Sequence, residues 1–241
     1  MEPSFSISKK YMNIDGDDLK DYRFERKFFI QNKNIVPVET LIKLNSSGFN
    51  EIFYERYVNN IYFDTANLEL LKANEYGFSK RAKFRVRWYG NIFGLIEKPV
   101  LEIKIREGQL NRKESFGINS FELEKESNPE FLINEITKSD ISDYIKSRIG
   151  NLKPVLLNRY RRKYFLSGDG NYRITLDKDL IYYNIKNFDV FFLNTLHQVL
   201  ELKYNPEFDE AANTISNQFP FRLSKNSKYV TGMHKIYDLE E

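Results

Sequence analysis

The 241-residue chain has no cysteine. That excludes a disulfide framework, a thiol nucleophile and any cysteine-ligated metal. Histidine is almost as scarce. His197 and His234 lie far apart and offer no metal-binding spacing, so a packed or solvated role is expected for each. No run reaches the roughly 18 apolar residues of a membrane-spanning helix. The first residues are polar and acidic, without the apolar core of a signal peptide. A soluble, cytoplasmic protein without a transmembrane segment is the expectation. No phosphate-cradling G-x-x-x-x-G-K-[ST] loop and no G-x-S-x-G nucleophile elbow occur. Nor is there a large excess of either charge: 37 Lys and Arg stand against 34 Asp and Glu, a net +3 that does not call for nucleic acid.

What is present is aromatic residues and patterned charge. Phe (20) and Tyr (16) supply most of the 15% aromatic content, which favours strands. In several short segments charged side chains recur at every second residue: Lys83-Phe-Arg-Val-Arg-Trp88, Glu102-Ile-Lys-Ile-Arg106, Arg159-Tyr-Arg-Arg-Lys163, Arg173-Ile-Thr-Leu-Asp177 and Glu201-Leu-Lys203. A strand sends successive side chains to opposite faces. Lys83, Arg85 and Arg87 therefore share a face opposite Phe84, Val86 and Trp88, and Glu102, Lys104 and Arg106 share one opposite Leu101, Ile103 and Ile105. Any one such strand reads equally well as a half-solvated sheet face. Their recurrence, with Glu-x-Lys at Glu25-Arg-Lys27, Glu102-Ile-Lys104 and Glu201-Leu-Lys203, points to charged faces that converge.

Residues 1–20 read as a loose leader and 21–241 as a single domain, with no internal repeat. Strands are expected near 22–30, 60–64, 81–89, 98–107, 111–124, 154–167 and 171–183, and a hairpin over 188–204. Ser167-Gly-Asp-Gly-Asn171 is a hairpin turn. Helices are expected after Pro37 and after an Asn67 cap, then as two pieces over 129–150, the second capped by Ser139 or Asp140. Two more follow at 209–217 and 227–237. The arrangement is an antiparallel sheet with helices outside and at its ends.

Converging Arg and Lys suit a polyanion, because the guanidinium fork matches phosphate oxygens and an ammonium adds a point charge. A carboxylate among them can hold Mg²⁺ or Mn²⁺. Single-stranded nucleic acid is disfavoured, since aromatic and basic side chains alternate to opposite faces. Asp64 is expected to accept local backbone bonds at a strand end, and Trp88, Tyr229 and Tyr237 to pack.

Taken in order, Tyr22-Arg-Phe-Glu-Arg-Lys-Phe-Phe29, Asn60-Ile-Tyr-Phe-Asp-Thr65, Phe84-Arg-Val-Arg-Trp-Tyr-Gly90, Leu101-Glu-Ile-Lys104, Arg173-Ile-Thr-Leu-Asp177, Val199-Leu-Glu-Leu-Lys-Tyr204 and Ser227-Lys-Tyr229 resemble the VTC (vacuolar transporter chaperone) polyphosphate polymerase domain. That domain is a branch of the CYTH-like triphosphate tunnel metalloenzymes. The resemblance spans about residues 22–237. It implies an α+β fold built on a closed antiparallel β-barrel of about eight strands, helices outside. It implies transfer of the ATP γ-phosphate to a growing polyphosphate chain with Mn²⁺ or Mg²⁺. By motif match Arg85, Arg87, Lys104, Arg161 and Arg173 are the catalytic cations. Lys27, Lys113, Lys203, Ser227 and Lys228 are further phosphate contacts, and Glu201 is the metal ligand, with Glu25 and Glu102 as additional candidates. The wider superfamily opens with Glu-x-Glu-x-Lys where this chain has Arg23-Phe-Glu25-Arg-Lys27, so one metal carboxylate is missing. A triphosphatase or polyphosphate hydrolase, and a non-catalytic polyphosphate or nucleotide sensor, stay open as alternatives. A membrane-protein partner is compatible with the resemblance.

Overall fold

The computed structural model describes residues 23–31, 36–108 and 110–237; the expected leader lies outside the described residues. Two-residue alternation organises most of what is seen. The long strands β1 (Phe24–Gln31), β2 (Asn50–Asp64), β3 (Lys80–Tyr89), β5 (Val100–Glu107), β6 (Leu110–Gly117), β8 (Lys153–Leu166), β9 (Arg173–Tyr183) and β11 (His197–Tyr204) join antiparallel in the order β1-β11-β9-β8-β2-β3-β5-β6. β10 (Val190–Asn194) adds a ninth strand alongside β9. The short strands β4 (Gly94–Ile96) and β7 (Phe121–Leu123) pair separately. The segment expected as one strand over 111–124 is thus two strands in two sheets, and β2 begins ten residues before the expected 60.

The sheet curls on itself. β1 and β5 stand six places apart in strand order, which in a flat sheet is roughly 28 Å. Yet Lys104 Nζ on β5 lies 2.7 Å from a Glu25 carboxylate oxygen on β1. The end strands meet where Arg23 N–H donates to the Asn111 carbonyl at 3.1 Å. In place of the expected closed barrel of about eight strands, the described residues form a nine-stranded sheet whose ends touch at the Arg23–Asn111 bridge, with no continuous ladder between β1 and β6 among them.

Two apolar layers cover the outer face. Phe84, Val86, Trp88, Leu101, Ile103 and Ile105 pack beneath β4, β7 and the helices α3 (Phe131–Lys138) and α4 (Asp143–Ile149). Phe28, Ile30, Ile174, Leu176, Leu200 and Leu202 pack beneath α1 (Val38–Lys43) and α5 (Asp209–Asn217). Each fully buried side chain of this kind contributes about 1.5–3 kcal/mol. A slip of one residue would turn every one of them inward, so the pattern holds the register.

Helix α2 (Glu69–Glu75) is not capped by Asn67. The buried Asp64 carboxylate accepts the Leu70 and Leu71 N–H groups at 2.9 and 2.8 Å, and Thr65 Oγ1 accepts that of Glu69. Asp64 also accepts the Tyr229 hydroxyl, tying α2 to the last helix, α6 (Lys228–Tyr237). Ser139 ends α3 by donating to the Glu135 carbonyl, and Ser142 precedes α4. No helix among the described residues is long and apolar enough to cross a membrane.

Helix α6 packs against one end of the inner face. Tyr229 stacks on Tyr62 with ring centroids 5.1 Å apart, and Met233 is fully buried against Leu156 and Tyr182. Gly232 is required there: a Cβ would sit 2.5 Å from Tyr182 Cε1 and 2.6 Å from Leu156 Cδ2. Gly232→Ala is expected to destabilise the fold by about 1–3 kcal/mol through overpacking. Urea denaturation checks it, and a parental midpoint would show that α6 is not seated as described.

Candidate functional site

The charged faces converge on the inner side of the curled sheet. Lys83, Arg85 and Arg87 point inward from β3, and Glu102 and Lys104 from β5. Glu25 and Lys27 do so from β1, Glu201 and Lys203 from β11, and Thr175 and Asp177 from β9. Helix α6 adds Ser227 and Lys228 at its N-terminus. The Ser227 hydroxyl oxygen accepts the Val230 N–H at 3.3 Å as a cap and the Lys83 ammonium at 2.7 Å.

Three ion-pair groups make up the site. Glu102 is 4% exposed and sits amid Arg85, Arg87 and Lys113, at 2.6, 3.3 and 2.8 Å. Asp177 takes Arg162 in a two-pronged contact at 2.5 and 2.7 Å, and Lys228 at 2.6 Å. Glu201 bridges Lys203 at 2.9 Å and Lys27 at 3.3 Å, while Glu25 holds Lys104. Cations outnumber these four carboxylates about two to one, the excess that a polyanion would neutralise.

The protonation states follow. Burial pushes all four carboxyls up, but the surrounding Lys and Arg outweigh it and hold Glu102, Asp177 and Glu201 below their ordinary values. Glu25 is brought down to about 2 by Lys104, Lys27 and Lys203. The ammonium groups diverge. Burial together with Lys27, Lys104, Arg81 and Arg85 drives Lys83 well down, since its one hydrogen bond goes to a neutral hydroxyl. Burial and Lys27 lower Lys104 to about 8 despite Glu25.

Most residues singled out in the sequence meet here: Lys27, Arg85, Arg87, Lys104, Glu25, Glu102, Glu201, Lys203, Ser227 and Lys228. Lys113 lies at the rim, its side chain half exposed. Arg173 is exposed, on the same face as Thr175 and Asp177 and opposite Lys203. Arg161 does not join them. It turns to the outer face and pairs with Asp179 and Glu55. Arg162 occupies the inner position, 5% exposed. The basic series Arg159, Arg161, Lys163 is an outer face answered by Glu39, Glu51, Glu55 and Asp179. The inner series on β8 is Leu156, Asn158, Tyr160, Arg162, Tyr164. A bulge in β9 between Lys178 and Ile181, where Asp179 takes φ of 53°, lets Asp177 and Tyr182 share the inner side despite their odd spacing. A polar step-of-two series leading out of Leu156 was the signal available for Arg162.

Aromatic and basic side chains are not wholly segregated. They separate on β3 from Lys83 to Trp88, but on β8 Tyr160 and Tyr164 flank Arg162 on the inner face. The Tyr160 ring is already covered by Arg162 and Lys228, 5.1 and 4.8 Å from its centroid, so it is not open to stack on a base.

Among the described residues no three His, Asp or Glu side chains cluster as a metal cage. Glu102, enclosed by three cations, does not fit a metal ligand. Glu25 and Glu201 lie on one face of adjacent strands with Lys27 between them, 3.8 and 3.3 Å away. That pair fits an ion whose coordination is completed by phosphate oxygens and water, the usual habit of Mg²⁺.

The VTC domain family profile matches residues 22–237. No curated protein sequence matches the chain. Among solved structures, a Hippeastrum protein named for adenylyl cyclase, and described as having a dominant triphosphatase activity, superposes with a TM-score of 0.52 at 18% identity, covering 88% of this chain and 94% of its own. A Vibrio parahaemolyticus protein also named for adenylate cyclase gives 0.50 at 16%, covering 86% and 97%. At these identities the likeness is one of fold. The profile match runs unbroken from β1 to α6, and the chain belongs to the VTC domain family.

Proposed function

We propose that the chain is a phosphotransferase that moves the γ-phosphoryl group of ATP onto a growing polyphosphate chain on the inner face of the curled sheet. The supporting observation is the state of the four inner carboxylates. Glu25, Glu102, Asp177 and Glu201 are all paired with cations and all have lowered pKa values. They are poor general bases. General-base hydrolysis needs a group that takes a proton from water, whereas a terminal phosphate oxygen is already ionised and needs none. The site is better suited to a phosphate acceptor than to water.

Catalysis would consist of positioning and charge neutralisation. Arg85, Arg87 and Arg162 grip phosphate oxygens and stabilise charge on the transferred group. Lys27, Lys83, Lys104, Lys203 and Lys228 hold the donor and acceptor chains in line. A Mn²⁺ or Mg²⁺ ion, held by Glu201 and Glu25, would supply neutralisation of charge between adjoining phosphates.

Incubation of the protein with ATP and Mn²⁺, with products resolved by length, tests the reading. A polyphosphate ladder is expected. Free phosphate alone would assign a hydrolase, and no turnover with retained binding would assign a sensor.

Binding should also be proton-linked. Above pH 8 the free protein has Lys104 largely neutral, and Lys83 is lowered as well. A bound triphosphate favours the charged ammonium, so binding takes up protons and affinity falls as pH rises through about 8. Calorimetry between pH 7 and 9, in buffers of different ionisation enthalpy, reads the uptake directly. A buffer-independent heat would show that both amines are already charged.

A further inference from the structure

Beyond Arg162 the inner face continues into an aromatic rim with its own cation. Arg56 on β2 stands opposite Arg162 on β8 in the strand register. Its guanidinium carbon lies 4.2 Å from the centroid of the Tyr89 ring, 4.9 Å from that of Tyr164 and 5.0 Å from that of Phe53. Tyr89 continues the inward series Lys83, Arg85, Arg87, and Tyr164 continues Tyr160 and Arg162. The Tyr164 ring also lies 5.8 Å from the Arg162 guanidinium, so one ring links the two arginines. Helix α6 packs at the opposite end of this series, against Leu156 and Tyr182, which makes the aromatic rim the end that α6 leaves uncovered.

The environment of Arg56 is unusual for the inner face. Arg85, Arg87 and Arg162 each have a carboxylate at ion-pair distance. Among the described residues none lies at that distance from Arg56. Its neighbours in sequence, Glu51 and Glu55, are engaged with Lys163, Lys178 and Arg161. Its Nε is buried and meets no hydrogen-bond partner. Three rings hold the guanidinium in place by cation–π contact, which fixes the fork without using its donors. This arrangement is pre-organised for an anion, and it does not suit a nucleobase, because the cation already occupies the ring faces.

The geometry points to Arg56 and its Phe53, Tyr89 and Tyr164 collar as a phosphate subsite at the rim, which takes chain units beyond those met by the central cations. Resting on the polyphosphate reading above, it makes the protein prefer an extended polyphosphate over a triphosphate. Chain length is then sensed by a guanidinium that a short ligand does not reach.

Calorimetric titration of the full chain with tripolyphosphate, with a long polyphosphate of defined length and with ATP tests this. The parent protein is expected to bind the long chain more tightly than tripolyphosphate. Arg56→Gln should reduce that preference about tenfold, the size of one charge-assisted contact. Arg56→Lys should fall between the two, because an ammonium keeps the charge and loses the fork. Equal weakening of both inorganic ligands, or no change in their ratio, overturns the subsite while leaving the central site intact. Selective weakening of ATP would assign the rim to a nucleoside and overturns it as well. Failure of the parent protein to bind either inorganic ligand removes the polyphosphate reading and the subsite together.

Discussion

Replacing Arg162 with alanine is expected to lower turnover of ATP about 10²–10³-fold, the cost of removing one pre-organised donor from developing charge. Replacing its neighbour Arg161 should leave turnover close to that of the parent. The two side chains differ by one position and by one face. Arg162 is buried between Asp177 and the Tyr160 ring, fixed at both ends, and points to the convergence of cations. Arg161 is 38% exposed and pairs with Glu55 and Asp179 on the outer face, where solvent screens it. The comparison controls for net charge, since each variant loses one cation from the same strand. Steady-state rates at saturating ATP, with circular dichroism to confirm folding, decide the matter. A loss in Arg161→Ala equal to that in Arg162→Ala would place the reacting phosphate elsewhere.

Removing the Glu102 carboxylate is expected to cost about 3–5 kcal/mol of stability, the usual penalty for stripping one partner from a buried charge group. The carboxylate touches three cations, so Glu102→Ala leaves the largely buried Arg85 and Arg87, with the half-exposed Lys113 at their edge, without their shared counter-charge. A bound polyphosphate supplies the missing negative charge and stabilises the folded form by mass action. The thermal shift on adding polyphosphate should therefore be larger in Glu102→Ala than in the parent, even though the variant melts lower without ligand. Glu102→Gln, which keeps the shape and loses the charge, should show the same enlarged shift. Equal shifts in all three proteins would mean that Glu102 does not hold apart the cations that grip phosphate.

Legibility of the site varied with the strand. On β3 the apolar partners Phe84, Val86 and Trp88 leave no doubt about which side is outer, and Arg85 and Arg87 follow. On β8 both series carry apolar and basic residues: Val155, Leu157, Arg159 and Arg161 on one side, Leu156, Asn158, Tyr160 and Arg162 on the other. Charge alternation and motif match both picked the outer series, because the carboxylates that answer it lie on α1, β2 and β9 and come near only after folding. Arg56 left no trace in the sequence for a similar reason. Its ring partners are drawn from β2, β3 and β8, and an irregularity in β2 between Phe53 and Arg56 sets which of its residues face the rim. Asp64 shows the reverse case: its local backbone bonds at the strand end were readable, whereas its tie to Tyr229 was not, and the helix cap expected of Asn67 falls to Asp64 and Thr65.

Composition and alternation by themselves determined that this chain is built on strands, that on β3 and β5 charged residues lie on a face opposite apolar ones, and that the sequence carries no glycine-rich phosphate loop. These are local properties, set by a two-residue repeat that every strand obeys. Only the tertiary structure decided how the strands curl, which arginine of β8 faces inward, which carboxylates are neutralised and which cation is left with aromatic rings alone. Those outcomes depend on bulges, on the seating of α6 and on contacts between strands remote in sequence, and no local repeat encodes them.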